Sequence, residues 1–177
     1  MSKQHTSLQR DPHFGLIIEP DTLITSKTDL KGVITYCNRD FLAYSGYSEE
    51  ELIGKPHNII RHKDMPACVF KLLWDYIQSG REIFAFVKNL TKHKEHYWVF
   101  TNVTPSFDNL GNIIGYYSVR RAPNLAVIPT IEALYKDLRA LESKGGYEHS
   151  LKALQEFVQA QNKSYNHIIC DLQKIDS

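Results

Sequence analysis

Arg61, His62 and Lys63 set three nitrogen-bearing side chains in a row, with Asp64 next and Pro66 opening an apolar helical run. A guanidinium grips a pyrophosphate with two parallel hydrogen bonds, and the free N–H groups at a helix start attract the same charge. Asp64 suits a ribose hydroxyl or a pairing with Arg61. A solvated loop closed by an Arg61–Asp64 ion pair fits the same residues. Asn38 and Asn89 are amides flanked by apolar residues, each with donors and an acceptor to offer. Asn38 follows a β-prone stretch and equally suits a helix N-cap; Asn89 equally suits the wet side of an edge strand. Phe70 and Trp74 lie one helical turn apart, a spacing shared by core packing and by the wall of a site for a flat ring. His93 and His96 have no third ligand near them in sequence, which disfavours a metal. No nucleophile elbow, Walker loop or zinc-protease motif occurs, so nothing recommends a catalyst.

The chain that carries these residues has 177 of them, 42% apolar and 23% charged. That is a soluble globular composition, long enough to bury a core without staples. Lys and Arg number 21 against 20 Asp and Glu, a net charge of +1. Such a balance leaves no electrostatic footprint for nucleic acid or for an anionic membrane. No apolar run approaches the ~18 residues that would span a bilayer. The start, Met-Ser-Lys-Gln-His, precedes no apolar stretch of the secretory kind. Cys37, Cys68 and Cys170 are odd in number and far apart, neither a disulfide framework nor a zinc ribbon. A reduced, cytoplasmic protein is expected.

The elements that must position the site follow from periodicity and turn chemistry. Residues 1–20 read as a polar arm with one apolar anchor, Phe14-Gly15-Leu16-Ile17-Ile18. Two β-prone stretches, 23–26 and 33–36, flank the turn residues Asp29 and Gly32 and predict a hairpin. Asn38 caps a short helix that Gly46 ends, and Ser48 with Glu51 has the spacing of a capping box. Pro56 to Pro66 holds the polar string. Val69, Phe70, Leu72, Leu73, Tyr76 and Ile77 predict a helix from Ala67 to Gln78. Stretches 83–87, 97–104 and 113–119 then predict a three-strand antiparallel meander. The order is α+β and argues against a doubly wound nucleotide fold. Beyond Ala122-Pro123-Asn124 only helical stripes remain: Ile131, Leu134, Leu138, Leu141; then Leu151, Leu154, Phe157, Val158; then Tyr165, Ile168, Ile169, Leu172, Ile175. These must pack on each other, on the domain or on a partner.

Taken together, residues 21–122 resemble the flavin-binding PAS domain of bacterial aerotaxis, or energy-taxis, receptors. The likeness rests on Thr28-Asp29-Leu30 leading to Asn38, and on Ser45-Gly46-Tyr47 with Glu51-Leu52 and Gly54. It rests most specifically on Pro56-His57-Asn58-Ile59-Ile60-Arg61-His62 with Asp64-Met65-Pro66. Val87-Lys88-Asn89 with His96-Tyr97-Trp98-Val99, Asn102-Val103-Thr104-Pro105, and Gly115-Tyr116 with Ser118-Val119-Arg120 extend it. The chain departs from the pattern at Lys63, where proline is usual, at Ile83 and Phe84, where a Trp-containing stretch is usual, and at Lys92-His93-Lys94-Glu95, which lacks the usual turn glycine.

The resemblance implies a PAS fold: a five-stranded antiparallel sheet with short helices on one side, then a helical C-terminal extension. The divisions are an arm or cap at 1–20, the sensor domain at 21–123 and the extension at 124–177. It implies FAD held by Arg61, His62 and Asp64, with Asn38 and Asn89 facing the ring and Phe70 and Trp74 lining its cavity. It implies a redox or energy sensor with no turnover of its own. Receptors of this family continue into a membrane anchor, a HAMP segment and a signalling coil, whereas this sequence ends at Ser177. It is more similar to stand-alone forms that pass the signal to a separate membrane-bound, HAMP-containing chemotaxis transducer. That places the protein in the cytoplasm, or at the inner membrane through its partner, without insertion of its own and with homodimerisation left open. Light-sensing PAS relatives carry an adduct-forming cysteine in Asn-Cys-Arg-Phe-Leu-Gln, which is absent here. Two alternatives remain: a haem-bound oxygen sensor, with His57 or His62 as ligand since Ala67–Gln78 holds no histidine, and a cofactor-free interaction domain whose cavity its own side chains fill.

Overall fold

The fold is described from a computed structural model covering residues 8–174. The sequence Phe14–Ile18, expected to anchor the arm, does so through two very short strands. β1 (Arg10–Asp11) pairs with β2 (Gly15–Leu16), and Asp11 Oδ1 accepts the His13 and Phe14 N–H groups to close the turn. Gly15 sits at φ +76°, and a Cβ there would stand 2.0 Å from the His96 carbonyl oxygen, so only glycine lets the arm lie this close. Leu16 and Ile18 are buried.

The predicted hairpin forms as β3 (Ile24–Thr28) and β4 (Ile34–Cys37), closed by Asp29 Oδ1 accepting the Lys31 and Val33 N–H groups. α1 (Arg39–Ser45) ends at Gly46, which adopts φ +75° and returns its N–H to the Leu42 carbonyl. The Ser48–Glu51 capping box opens the single turn α2 (Glu49–Leu52). A 3₁₀ turn, His57–Ile60, precedes α3 (Ala67–Gln78), whose bounds match the periodicity. The meander is β5 (Ile83–Leu90), β6 (His96–Phe107) and β7 (Ile113–Arg121).

The five expected strands form one antiparallel sheet in the order β5-β6-β7-β3-β4. The arm adds to it: β2 pairs in parallel with β6 at Leu16 and Tyr97. Alternation along the strands divides the side chains between two faces. Ser26, Val87, Asn89, Thr101, Val103, Ser118 and Arg120 point inward toward α3, whereas Lys88 and Trp98 point the other way.

The extension folds as α4 (Ile128–Gly145), α5 (Tyr147–Ala160) and α6 (Tyr165–Gln173). It packs on the domain. The Tyr135 hydroxyl donates to the Phe86 carbonyl at 2.8 Å, and its ring lies beside Trp98. Asn166 receives the Phe84 N–H and donates to the Glu82 carbonyl, so α6 caps an edge of β5 that would otherwise be open. Pro66 cannot cap α3 with a side chain; Glu142 of α4 does so instead, accepting the Cys68 N–H at 2.9 Å. Of the third stripe, Ile175 lies outside the described residues.

Candidate functional site

A cavity of about 290 Å³ lies between the inner face of the sheet and α3. Its apolar wall is the helix face of Phe70, Leu73, Trp74 and Ile77, with Val87, Val103 and Tyr116 opposite. Trp74 meets Tyr116 edge-on, ring centres 5.6 Å apart. The polar wall is set by the strands, and several of its groups lack partners. Asn89 Nδ2, Thr101 Oγ1, Ser118 Oγ and Arg120 Nη1 are buried without a hydrogen bond. Buried polar groups are normally satisfied, so four orphans on one cavity wall describe a site shaped for a polar ligand.

Arg120 anchors that wall. One nitrogen, Nη2, donates to Ser26 Oγ at 3.1 Å and to His57 Nε2 at 2.7 Å. A guanidinium only donates, so His57 Nε2 accepts and the ring is neutral with its proton on Nδ1. Burial, and then the Arg120 charge, push His57 down to about 3. Burial likewise draws Arg120 down to about 10, still protonated at neutral pH. It raises the Tyr97 hydroxyl to about 12.

The cavity opens beside a cationic groove lined by Asn58, Arg61, His62, Lys63, Leu90 and Lys94. Arg61 and Asn58 belong to both spaces. Arg61 stacks its guanidinium 4.4 Å from the Phe70 ring centre and donates to the Met65 carbonyl. A backbone bridge joins Arg61 to Asn89. Lys94 reaches the groove from a turn in which it adopts φ +68°, the conformation that the missing glycine would have supplied.

Arg61, Phe70, Trp74 and Asn89 therefore meet at one cavity, and His62 stands on the adjoining groove. Two other residues expected at the site stand elsewhere. Asn38 is occupied by local structure: Oδ1 accepts the Phe41 and Thr25 N–H groups, Nδ2 donates to the Leu23 carbonyl at 2.7 Å, and the residue does not line the cavity. Asp64 neither holds Arg61 nor lines the cavity. It pairs with Lys88 Nζ at 3.2 Å and Arg139 at 3.4 Å, and lies 3.5 Å from the His62 ring. Lys88 outcompetes Arg61 for Asp64 because it is itself buried and cannot stay unpaired. Sequence alone does not mark Ser26, Thr101, Ser118 and Arg120 as cavity-lining groups, and marks His57 only as a possible haem ligand. Their signal was alternation: Ser118 and Arg120 share a face with Tyr116 on one β-prone run. His93 and His96 separate, His93 against Gly46 and His96 against the His13 carbonyl.

Comparison with known proteins gives the same architecture. The PAS fold family profile matches residues 34–120. The aerotaxis receptor of Escherichia coli K12 is 42% identical over 120 residues, 68% of this chain and 24% of the receptor. The chain thus spans about a quarter of the length of the relative it matches. The light-state LOV domain of the photoreceptor Aureochrome1 superposes with a TM-score of 0.56 at 20% identity, covering 60% of this chain and 86% of that one. A light-oxygen-voltage domain studied through a flavin analogue gives 0.55 at 16% identity, covering 62% and 82%. Fold, profile and receptor likeness agree on one conclusion: the chain carries a domain of the PAS family, similar to a stretch of the aerotaxis receptor.

Proposed function

We propose that this chain is a redox or energy sensor that holds FAD noncovalently and relays electron-transport or oxygen status to a separate membrane-bound, HAMP-containing chemotaxis transducer. The observation that carries the reading is the set of four unpartnered polar groups on an otherwise apolar cavity beside a cationic groove. About 290 Å³ suits a flat tricyclic ring and is too small for a whole dinucleotide. The remainder of FAD then lies past Arg61 and Asn58, where Arg61, Lys63 and Lys94 offer charge to a diphosphate and His62, its pKa lowered by burial and its Nδ1 accepting the Asp64 N–H, offers a neutral N–H. An isoalloxazine edge needs donors and acceptors together, which amide, hydroxyl and guanidinium groups supply.

FAD supplies reversible electron uptake; the protein supplies the response. Asn89 is the responding group: its unpaired Nδ2 serves an acceptor on the ring, and turning the amide over presents Oδ1 to a donor instead. Because β5 also carries Lys88, that turn is next to the contacts with α4. The chain turns over no substrate in this reading. No helix among the described residues is long and apolar enough to cross a membrane, which fits a cytoplasmic protein brought to the inner membrane by its partner.

The alternatives fare worse. A haem ligand at His57 would have to displace Arg120 from Nε2, and His62 faces the groove rather than the cavity. Side chains of the domain do not fill the space, which weighs against a cofactor-free module. Purification decides among them: flavin bands near ~450 nm, a Soret band, or no colour. Heat release of FMN alone, without FAD hydrolysis, would refute the diphosphate assignment. Arg61→Ala should weaken FAD about ten- to a hundredfold. For the relay, oxidised and reduced protein are compared in pull-downs with transducer cytoplasmic fragments; binding indifferent to flavin state would reject it.

A further inference from the structure

Arg120 is only 4% exposed and has only neutral partners: the Ser26 hydroxyl, the unprotonated His57 ring and the face of Phe41, 5.4 Å away. No carboxylate lines the cavity, and among the described residues none forms an ion pair with Arg120. A buried cation without a counter-charge is costly, and proteins ordinarily pair it. Arg120 lines the cavity and its Nη1 has no partner, so an anionic group that enters there meets a cation without a counter-charge.

We propose that Arg120 is the group by which the cavity discriminates between charge states of its ligand, binding a ring with negative charge on its carbonyl edge more tightly than the same ring uncharged. The proposal rests on the FAD reading above and adds to it a determinant of reduction potential. Oxidised flavin is neutral. Taking up two electrons and one proton, the proton at N5, leaves one negative charge spread over N1 and the adjoining carbonyl. A preorganised cation facing that edge favours the reduced anion. The other unpartnered wall groups do not discriminate in this way. The hydroxyls of Thr101 and Ser118 rotate to donate or accept, and the Asn89 amide turns over, so each serves either state. A guanidinium can only donate and keeps its charge.

The test uses the full chain loaded with FAD, reduced stepwise by dithionite with mediator dyes while absorbance is followed. Arg120→Gln and Arg120→Met both remove the charge, one keeping polarity and the other volume. Losing one charge-assisted contact should lower the ratio of reduced to oxidised affinity about ten- to a hundredfold. For a two-electron couple that is a midpoint lower by about 30–60 mV. Arg120→Lys should recover at least half of the shift, and Lys152→Gln, which removes an exposed cation away from the cavity, should leave the midpoint unchanged. A charge-free variant that retains FAD at the wild-type midpoint overturns the proposal, as does a Lys152→Gln shift as large as that of Arg120→Gln. Failure of the FAD reading looks different: wild-type protein that is colourless and takes up no added FAD.

Discussion

Replacing Lys88 by Met tests whether the domain and its C-terminal extension are joined by charge as well as by packing. Lys88 Nζ is 3.2 Å from Asp64 Oδ2 and 3.3 Å from Glu132 Oε1, with its side chain 10% exposed. One such contact is worth about 1 kcal/mol in water and about 5 kcal/mol at an effective dielectric of 20. Asp64 and Glu132 are 43% and 28% exposed, which moves the gain toward the lower figure, and desolvating the ammonium takes back several kcal/mol. The net loss for Lys88→Met is then about 2 kcal/mol, or about 4–8 °C in Tm for a chain of this size. Part of that loss is repulsion, because the two carboxylates remain no more than about 6.5 Å apart with nothing between them. Adding Glu132→Gln should therefore recover about half of it, although it removes a second native ion. Thermal and urea unfolding of wild type, single and double variants read the result. Asp64 loosened from Lys88 should also free the segment carrying Arg61 and His62, so FAD affinity falls with stability. A Lys88→Met protein that melts within about 1 °C of wild type, or a double variant less stable than the single, would refute the reasoning.

His57 is neutral in the fold down to about pH 3, below its usual value near 6.5 in an unfolded chain. Its contribution is whole above about 6.5 and is lost as pH falls from there toward 3, at about 1.4 kcal/mol per pH unit. Urea titrations of His57→Asn at pH 7, 6 and 5 should show a flatter slope than wild type; an equal slope assigns the acid sensitivity elsewhere. Lys94→Gly relieves the left-handed conformation and should add about 1 kcal/mol of stability while weakening FAD, since the groove loses a charge. A variant neither more stable nor weaker in binding would remove Lys94 from both arguments. Glu142→Ala uncaps α3 and should cost about 1 kcal/mol, visible as a fall of about 2–4 °C in Tm. Cys37 is buried beyond the cavity wall, so blue light should give no adduct band near ~390 nm; a slowly reverting band lost in Cys37→Ser would contradict this placement.

The part of the site that was legible in sequence is the part made by local order. The Arg61-His62 string stands just before a helix whose bounds periodicity fixed, so cation and helix face could be placed together without knowing the fold. The polar wall of the cavity was not local. Ser26, Thr101, Ser118 and Arg120 come from three strands, and only the register that sets Ser26 opposite Ser118, and Val103 opposite Ser118 in turn, brings them to one cavity. Asn38 shows the opposite failing: its chemistry as a cap was readable from its neighbours, and that local demand takes both lone pairs of Oδ1 and turns the side chain away from the cavity.

Charge on a packed helix face was the other blind spot, and it bears on how a signal would leave the domain. The stripe of Ile131, Leu134, Leu138 and Leu141 marks the apolar side of α4, and by that pattern Glu132, Arg139 and Glu142 belong to water. In the fold all three reach the segment 64–68: Glu132 through Lys88, Arg139 through Asp64, Glu142 through the Cys68 N–H. That segment continues directly from Arg61 and His62 on the groove and leads into the helix that carries Phe70 and Trp74. The segment that joins groove to cavity is therefore also the segment that α4 holds, and a ligand that moves Asp64 is expected to alter the contacts of the extension, the pair with buried Lys88 most.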